Sequence, residues 1–442
     1  KPLIVLFSIP LLIPPYIMAI SWFYILGREG VISKVLGPSA AEVSSVWLFG
    51  LPGCVLVLFS TFLPIVILLT ITYLKTINPR LEEAARVVSG WSGVLKGITV
   101  PLILPGVLLA MMLVFLLTLG EFSVPAFLRY NVFPVESFTQ FSAFLNFGAA
   151  TVAAIPLAMV TFVLLALESH FLREKTYQVR PSQGSAFTDR IELGRHRNWL
   201  FALTAVLCLV VVILPALVLI GQSLSVNAYS LALARAGDSL VRSLIYASVG
   251  ASVLAVIGFF SGYLVQTRAL PFWRAADSLT IFLFALPSTV IGIGLISLWN
   301  RPWSNFIYAT PLIIIIGYIA QYAAIASRLT VSTLTQIPPS MEEAAQVAGA
   351  GWLRRMALIV APLAKRGLIA AWLVGFIFCL RDTGISMIVY PPGLETLPVR
   401  TFTLMANAPA GLTSALCVIM ILAALLPVGM LAAAYKWRML KP

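Results

Sequence analysis

Sixteen carboxylates are spread over 442 residues, and four of them stand as two matching pairs, Glu82–Glu83 and Glu342–Glu343. Each pair is followed directly by two alanines, Ala84–Ala85 and Ala344–Ala345. The segments around them, INPRLEEAARV over 77–87 and IPPSMEEAAQV over 337–347, agree at seven of eleven positions. A glutamate near the start of a short helix opposes the positive end of the backbone dipole. Paired alanines leave a smooth surface that another protein can approach closely. Such a pattern suits docking and the transmission of a push between subunits. Two further carboxylates keep step with the pairs: Glu121 and Asp382 follow Glu83 and Glu343 by 38 and 39 residues.

Bond-making chemistry has no visible home in the chain. A phosphate-cradling loop needs GxxxxGK[ST], and no Gly-Lys dipeptide occurs, so ATP has to act through a partner. Neither HExxH nor GxSxG is present, which argues against an intramembrane enzyme. The four cysteines, Cys54, Cys208, Cys379 and Cys417, lie in or beside apolar stretches with no CxxC pair. The two histidines, His170 and His196, share one basic loop. No metal site and no disulfide framework is expected, and the cysteines read as buried small hydrophobes.

The elements that carry these residues are set by the solvent. The chain is 60% hydrophobic and 10% charged, with mean hydropathy +1.00, where soluble domains carry about 25% charged residues. Ten stretches are long enough to cross a bilayer as helices: 3–26, 47–73, 101–120, 147–168, 199–222, 241–266, 277–299, 307–327, 362–380 and 410–435. If Lys1 starts in the cytoplasm, 21 of the 29 basic residues fall on the inner side, together with both EEAA segments. The net charge of +13 suits anionic lipid headgroups, and no basic cluster interleaved with aromatics suggests nucleic acid. Charges at the spans are few, Glu121, Glu168, Arg381 and Asp382, and all lie near span ends. That weighs against an ion-coupled secondary transporter, the alternative from another class. Tyr318, Gln321 and Tyr322 read equally as cavity lining or as interhelical hydrogen bonds.

Two halves are expected, 1–185 and 186–442, joined by the polar segment from His170 to Asn198. A proline–tryptophan spacing of twelve, Pro10–Trp22 and Pro287–Trp299, adds a second match at an offset of 277. Six spans follow the linker and four precede it, so matched halves imply two further helices, twelve in a full-length protein, with this sequence a fragment.

Local signals make each EEAA segment a short helix. Ser340 with Glu343 forms a capping-box pattern, and Asn78–Pro79 is a cap with a first-turn proline. Glycines after each copy let the backbone turn before the next span. EEAARVVSGWSGVLKGITVPLILPG and EEAAQVAGAGWLRRMALIVAPLAKRG resemble the EAA loop of the permease subunits of bacterial binding-protein-dependent ABC importers. The resemblance covers nearly the whole chain. It implies a type I importer transmembrane fold in the bacterial inner membrane, two ABC ATPase subunits on the cytoplasmic side and a solute-binding protein on the outer side. ATP and Mg would be held by the ATPase, and no cofactor by this chain. The coupling contacts implied are Glu83, Ala84 and Ala85, and Glu343, Ala344 and Ala345. The hinge glycine matches Gly349; in the first copy Ser89 takes that column with Gly90 beside it. Fusion of two such loops resembles permeases for ferric iron, thiamine and some phosphonates. LIPPYIMAISW and YPPGLETLPVRTFTLM look most like the ferric-iron branch. Glu121 and Asp382 are then expected to flank the pathway or its outer gate.

Overall fold

The computed structural model describes residues 2–77, 79–171 and 196–439. Most of the expected linker lies outside them, as do Asn78 and the side chains of Glu168, His170 and His196. Among the described residues there is no strand. Eight helices among the described residues are long and apolar enough to cross a bilayer, and two bent helix pairs raise the number to ten. The protein is a multi-pass, all-helical membrane protein, as its composition requires. All four cysteines are free and buried. Backbone contacts group the chain into two units, residues 1–131 with 159–221, and residues 132–158 with 222–442.

The first unit opens with α1 (Pro2–Leu12) and α2 (Pro15–Leu26), where one unbroken span was expected over 3–26. The limbs on either side of the break lie at 106°. Tandem prolines cause it. Each removes a backbone donor and drives the preceding residue out of the helical region, and Pro14 sits at φ −56°, ψ 141°. Two short helices, α3 (Val31–Leu36) and α4 (Pro38–Leu48), fill the expected outer loop before the spanning α5 (Leu51–Leu74). Met18, Trp22 and Ile25 pack on Val57, Leu58 and Phe62 to form the core between α2 and α5. Trp22 satisfies its indole N–H by donating to Ser60 Oγ at 3.3 Å. The chain then enters α6 (Pro79–Val94), a π turn over Leu95–Thr99, the spanning α7 (Val100–Leu119) and the short α8 (Ser123–Phe127).

In the second unit the same order returns. Here α9 (Ala228–Thr267) runs for 40 residues, about 60 Å of helix, and its first turns occupy what was expected to be an outer loop. Next come α10 (Trp273–Ala285) and α11 (Ser288–Trp299), bent by 109° in place of the continuous span expected over 277–299. The spanning α12 (Leu312–Leu334) leads to α13 (Pro339–Val347), a π turn over Met356–Val360, the spanning α14 (Ala361–Arg381) and the short α15 (Gly384–Val389). Small residues let α9 lie close against α12: a Cβ on Gly262 would stand 2.7 Å from Thr330 Cβ. Phe376 of α14 is buried, whereas Phe115, one repeat earlier on α7, is 49% exposed.

The breaks correct the register of the halves. Pro287 corresponds to Pro14 rather than to Pro10, because α2 and α11 each span 12 residues and each starts directly after an extended proline. Pro10 lies inside α1. The expected offset of 277 is thus four residues too long, about one helical turn, which is why a helix-period match could slip there unnoticed.

Candidate functional site: two loop helices

The two EEAA helices present the same faces. In α6, Glu83 and Ala84 are exposed while Glu82 and Ala85 are half-buried; in α13, Glu343 and Ala344 are exposed while Glu342 and Ala345 are half-buried. Leu81 and Met341, at the matching position before each pair, are 51% and 47% exposed. Adjacent residues on a helix point about 100° apart, so one glutamate of each pair turns outward and the other inward.

The inward glutamates have partners in their own unit. Glu82 Oε1 accepts from Thr99 Oγ1 at 2.6 Å, tying α6 to the π turn beyond it. Glu342 Oε1 accepts from Tyr263 Oη at 2.7 Å and lies 3.5 Å from Arg355 Nε, joining α13 to the end of α9 and to the turn before α14. Trp352 sits against both Tyr263 and Phe260, with ring centroids at 6.5 and 6.0 Å. The outward glutamates are left facing solvent.

The expected capping box does not form. Pro338 is the N-cap of α13, extended at φ −61° and ψ 129°, and no side chain caps the helix. Tandem Pro338–Pro339 starts the helix two residues early, since a first-turn proline is pre-set for helical φ. Ser340 therefore falls inside the first turn. The helices turn off at Gly90, with φ 63° and ψ 179°, and at Gly349, with φ 82°. Gly90 thus holds in the first copy the backbone role that Gly349 holds in the second. Beyond each glycine a continuous helix, Ser92–Leu119 or Trp352–Arg381, enters the apolar layer through its π turn. Pro101 and Pro362 stand just after those turns, whose wider backbone accommodates a ring that cannot donate.

Glu121 and Asp382 stand at equivalent places, just after α7 and α14. Glu121 Oε1 accepts from the Ser123 backbone N–H at 2.9 Å and also from its hydroxyl. Asp382 is buried; its Oδ2 accepts from Ser386 N at 2.9 Å and Ser386 Oγ at 2.8 Å, and its Oδ1 from Tyr322 Oη at 3.0 Å. Both carboxylates therefore start the short helix that follows, α8 or α15. Tyr318 Oη lies 3.1 Å from Ser386 Oγ. Gln321 Nε2 donates to the Phe284 and Leu286 carbonyls at 2.9 and 3.1 Å, so it satisfies acceptors that the break before Pro287 releases. Tyr318, Gln321 and Tyr322 thus all make hydrogen bonds to other segments of the unit.

A further ion pair joins α10 to α12. Arg328 Nη2 lies 2.8 Å from Asp277 Oδ1, and Asp277 is 2% exposed. Asp277 and Arg328 flank consecutive spans at the ends that antiparallel packing brings side by side, a signal the sequence did contain. Tyr263 and Thr99 carried no such signal.

A duplicated loop helix on a helical membrane scaffold is the layout of a transport permease. The profile of the family described as binding-protein-dependent transport system inner membrane component matches residues 1–177 and 255–440, and the chain belongs to that family, the permeases of ABC importers. The putative ferric transport system permease protein 1 of Haemophilus influenzae is 25% identical over 428 residues, 90% of this chain and 65% of that protein. The ferric transport system permease protein of Actinobacillus pleuropneumoniae is 25% identical over 426 residues, 90% of this chain and 60% of that protein. The molybdenum transport system permease protein of Haemophilus influenzae is 31% identical over 161 residues, 35% of this chain and 60% of that protein. The chain spans less than two thirds of the length of either ferric relative.

Proposed function

We propose that this chain forms the translocation path of an ATP-driven importer in a bacterial inner membrane, receiving its solute from an outer binding protein. Two ATPase subunits grip α6 and α13 from the cytoplasm, and ATP with Mg is bound by them. The observation that carries this reading is the matched exposure of the two loop helices: Glu83 with Ala84 and Glu343 with Ala344 form two equal, outward, unobstructed handles. Closure of the ATPases would move the handles, and the continuous helices beyond Gly90 and Gly349 would carry that movement into α7 and α14. Glu121 and Asp382 would hold the short helices at the far ends of those spans, the outer gate in this reading.

Ferric iron is the proposed cargo. Both ferric relatives align with 90% of the chain, whereas the molybdenum and 2-aminoethylphosphonate permeases align with about a third of it. The test is uptake of labelled ferric iron by liposomes holding the reconstituted importer. Glu83→Lys combined with Glu343→Lys should abolish ATP-driven uptake and release the ATPase on purification. Undiminished uptake would remove the coupling role of these helices, and uptake of molybdate or a phosphonate in place of iron would replace the cargo.

A further inference from the structure

The inward glutamates pose a separate question, because α13 has no buried residue among its nine. With only Glu342 and Ala345 half-buried, apolar packing alone holds it weakly. Beside it opens a cleft of about 400 Å3 lined by Tyr263, Gln266, Leu334, Glu342 and Arg355. Across that cleft the side-chain contacts to the rest of the unit converge on Glu342: the 2.7 Å hydrogen bond from Tyr263 and the 3.5 Å ion pair with Arg355. Tyr263 stands one turn before the end of the 40-residue α9, which packs on both α12 and α14. Arg355 directly precedes the π turn that feeds α14.

We infer that Glu342, Tyr263 and Arg355 are positioning residues that make α13 a rigid handle, so that force applied at Glu343 and Ala344 moves α14 instead of swinging the loop into the cleft. Glu82 and Thr99 do the same for α6 with a single hydrogen bond. The two handles are therefore held unequally. At the place of Arg355 the first copy has Val94, which is fully buried and offers no charge. This inference rests on the coupling role proposed above for the outward residues, and concerns different side chains.

The experiment compares iron transported per ATP hydrolysed, in liposomes containing the full chain, its ATPase and its binding protein. Tyr263→Phe with Arg355→Met keeps the ring packing and the length of both side chains but removes the clamp. That variant should lower the ratio about tenfold, the scale expected for losing charge-assisted contacts. Arg355→Lys, which keeps the charge, should stay within about twofold of the native protein, and Thr99→Val should lower the ratio by about threefold. A constant ratio in the double variant, with uptake and hydrolysis both unchanged or falling together, would overturn the clamp, because a loss of folded protein alone scales both activities equally. If the native importer shows no ATP-driven uptake of iron, molybdate or a phosphonate, the coupling reading fails and takes the clamp with it.

Discussion

At the scale of single residues, the second unit relies on polar contacts at places where apolar packing alone would leave groups unsatisfied. Asp277 is buried in the first half of α10, and its contact with Arg328 holds that limb of the bent pair against α12. Removing one partner of a buried pair leaves the other charge stranded. Arg328→Met should therefore lower stability by about 2 kcal/mol, toward the low side because the arginine is itself 36% exposed. Asp277→Asn, which strands only the half-exposed partner, should cost less. Thermal denaturation in detergent measures both; equal midpoints for the two variants would mean that burial of Asp277 is not what makes the pair matter. Gln321 belongs to the same pattern, since a leucine there would leave the Phe284 and Leu286 carbonyls without their donor. Its position on an apolar helix was visible in the sequence, but its acceptors exist only because the chain breaks at Leu286–Pro287.

At the scale of elements, prolines and glycines decide where helices stop. Pro14–Pro15 and Pro287 split two apolar stretches that hydropathy alone reads as continuous. Proline's missing donor is written in the sequence. The size of the bend is not, since a membrane helix can also keep an internal proline, as α5 does at Pro64 and α7 at Pro105. Gly90 carries a sharper constraint. Its φ of 63° with ψ of 179° is open almost solely to glycine, although a Cβ there would meet nothing within 4 Å. Gly90→Ala should thus cost about 1–3 kcal/mol through the backbone alone, and redirect α6. We expect reduced ATP-driven uptake with the ATPase still copurifying; native uptake would show that the turn at Gly90 does not aim the handle.

At the scale of the whole molecule, six stretches long and apolar enough to cross a bilayer lie between α6 and α13 when each bent pair is counted as one. An even number returns the chain to the side it left, in agreement with the distribution of lysine and arginine. Ala84→Cys and Ala344→Cys, in a background with the four buried cysteines replaced by serine or alanine, should react with a membrane-impermeant maleimide only from the cytoplasmic face. Labelling of either position from outside would break the pseudo-symmetric scheme. The order of elements in the two units, loop helix, glycine turn, π turn, span and carboxylate-started short helix, follows from duplication of one unit. Their side-chain contacts do not repeat: Thr99 in one copy does what Tyr263 and Arg355 do in the other.

The sequence by itself determined the solvent, the number of apolar stretches, the duplication, the two short EEAA helices and the equivalence of Glu121 with Asp382. All of these depend on patterns within about 30 residues or on direct repetition, and such patterns survive without knowledge of neighbours. Only the tertiary structure decided the angle of each break, the register of the halves at Pro14 and Pro287, and which glutamate of each pair turns inward to a partner. Those outcomes hinge on contacts between chain segments as far apart as Tyr263 and Glu342, 79 residues, where the partner is chosen by helix packing rather than by anything adjacent in the chain.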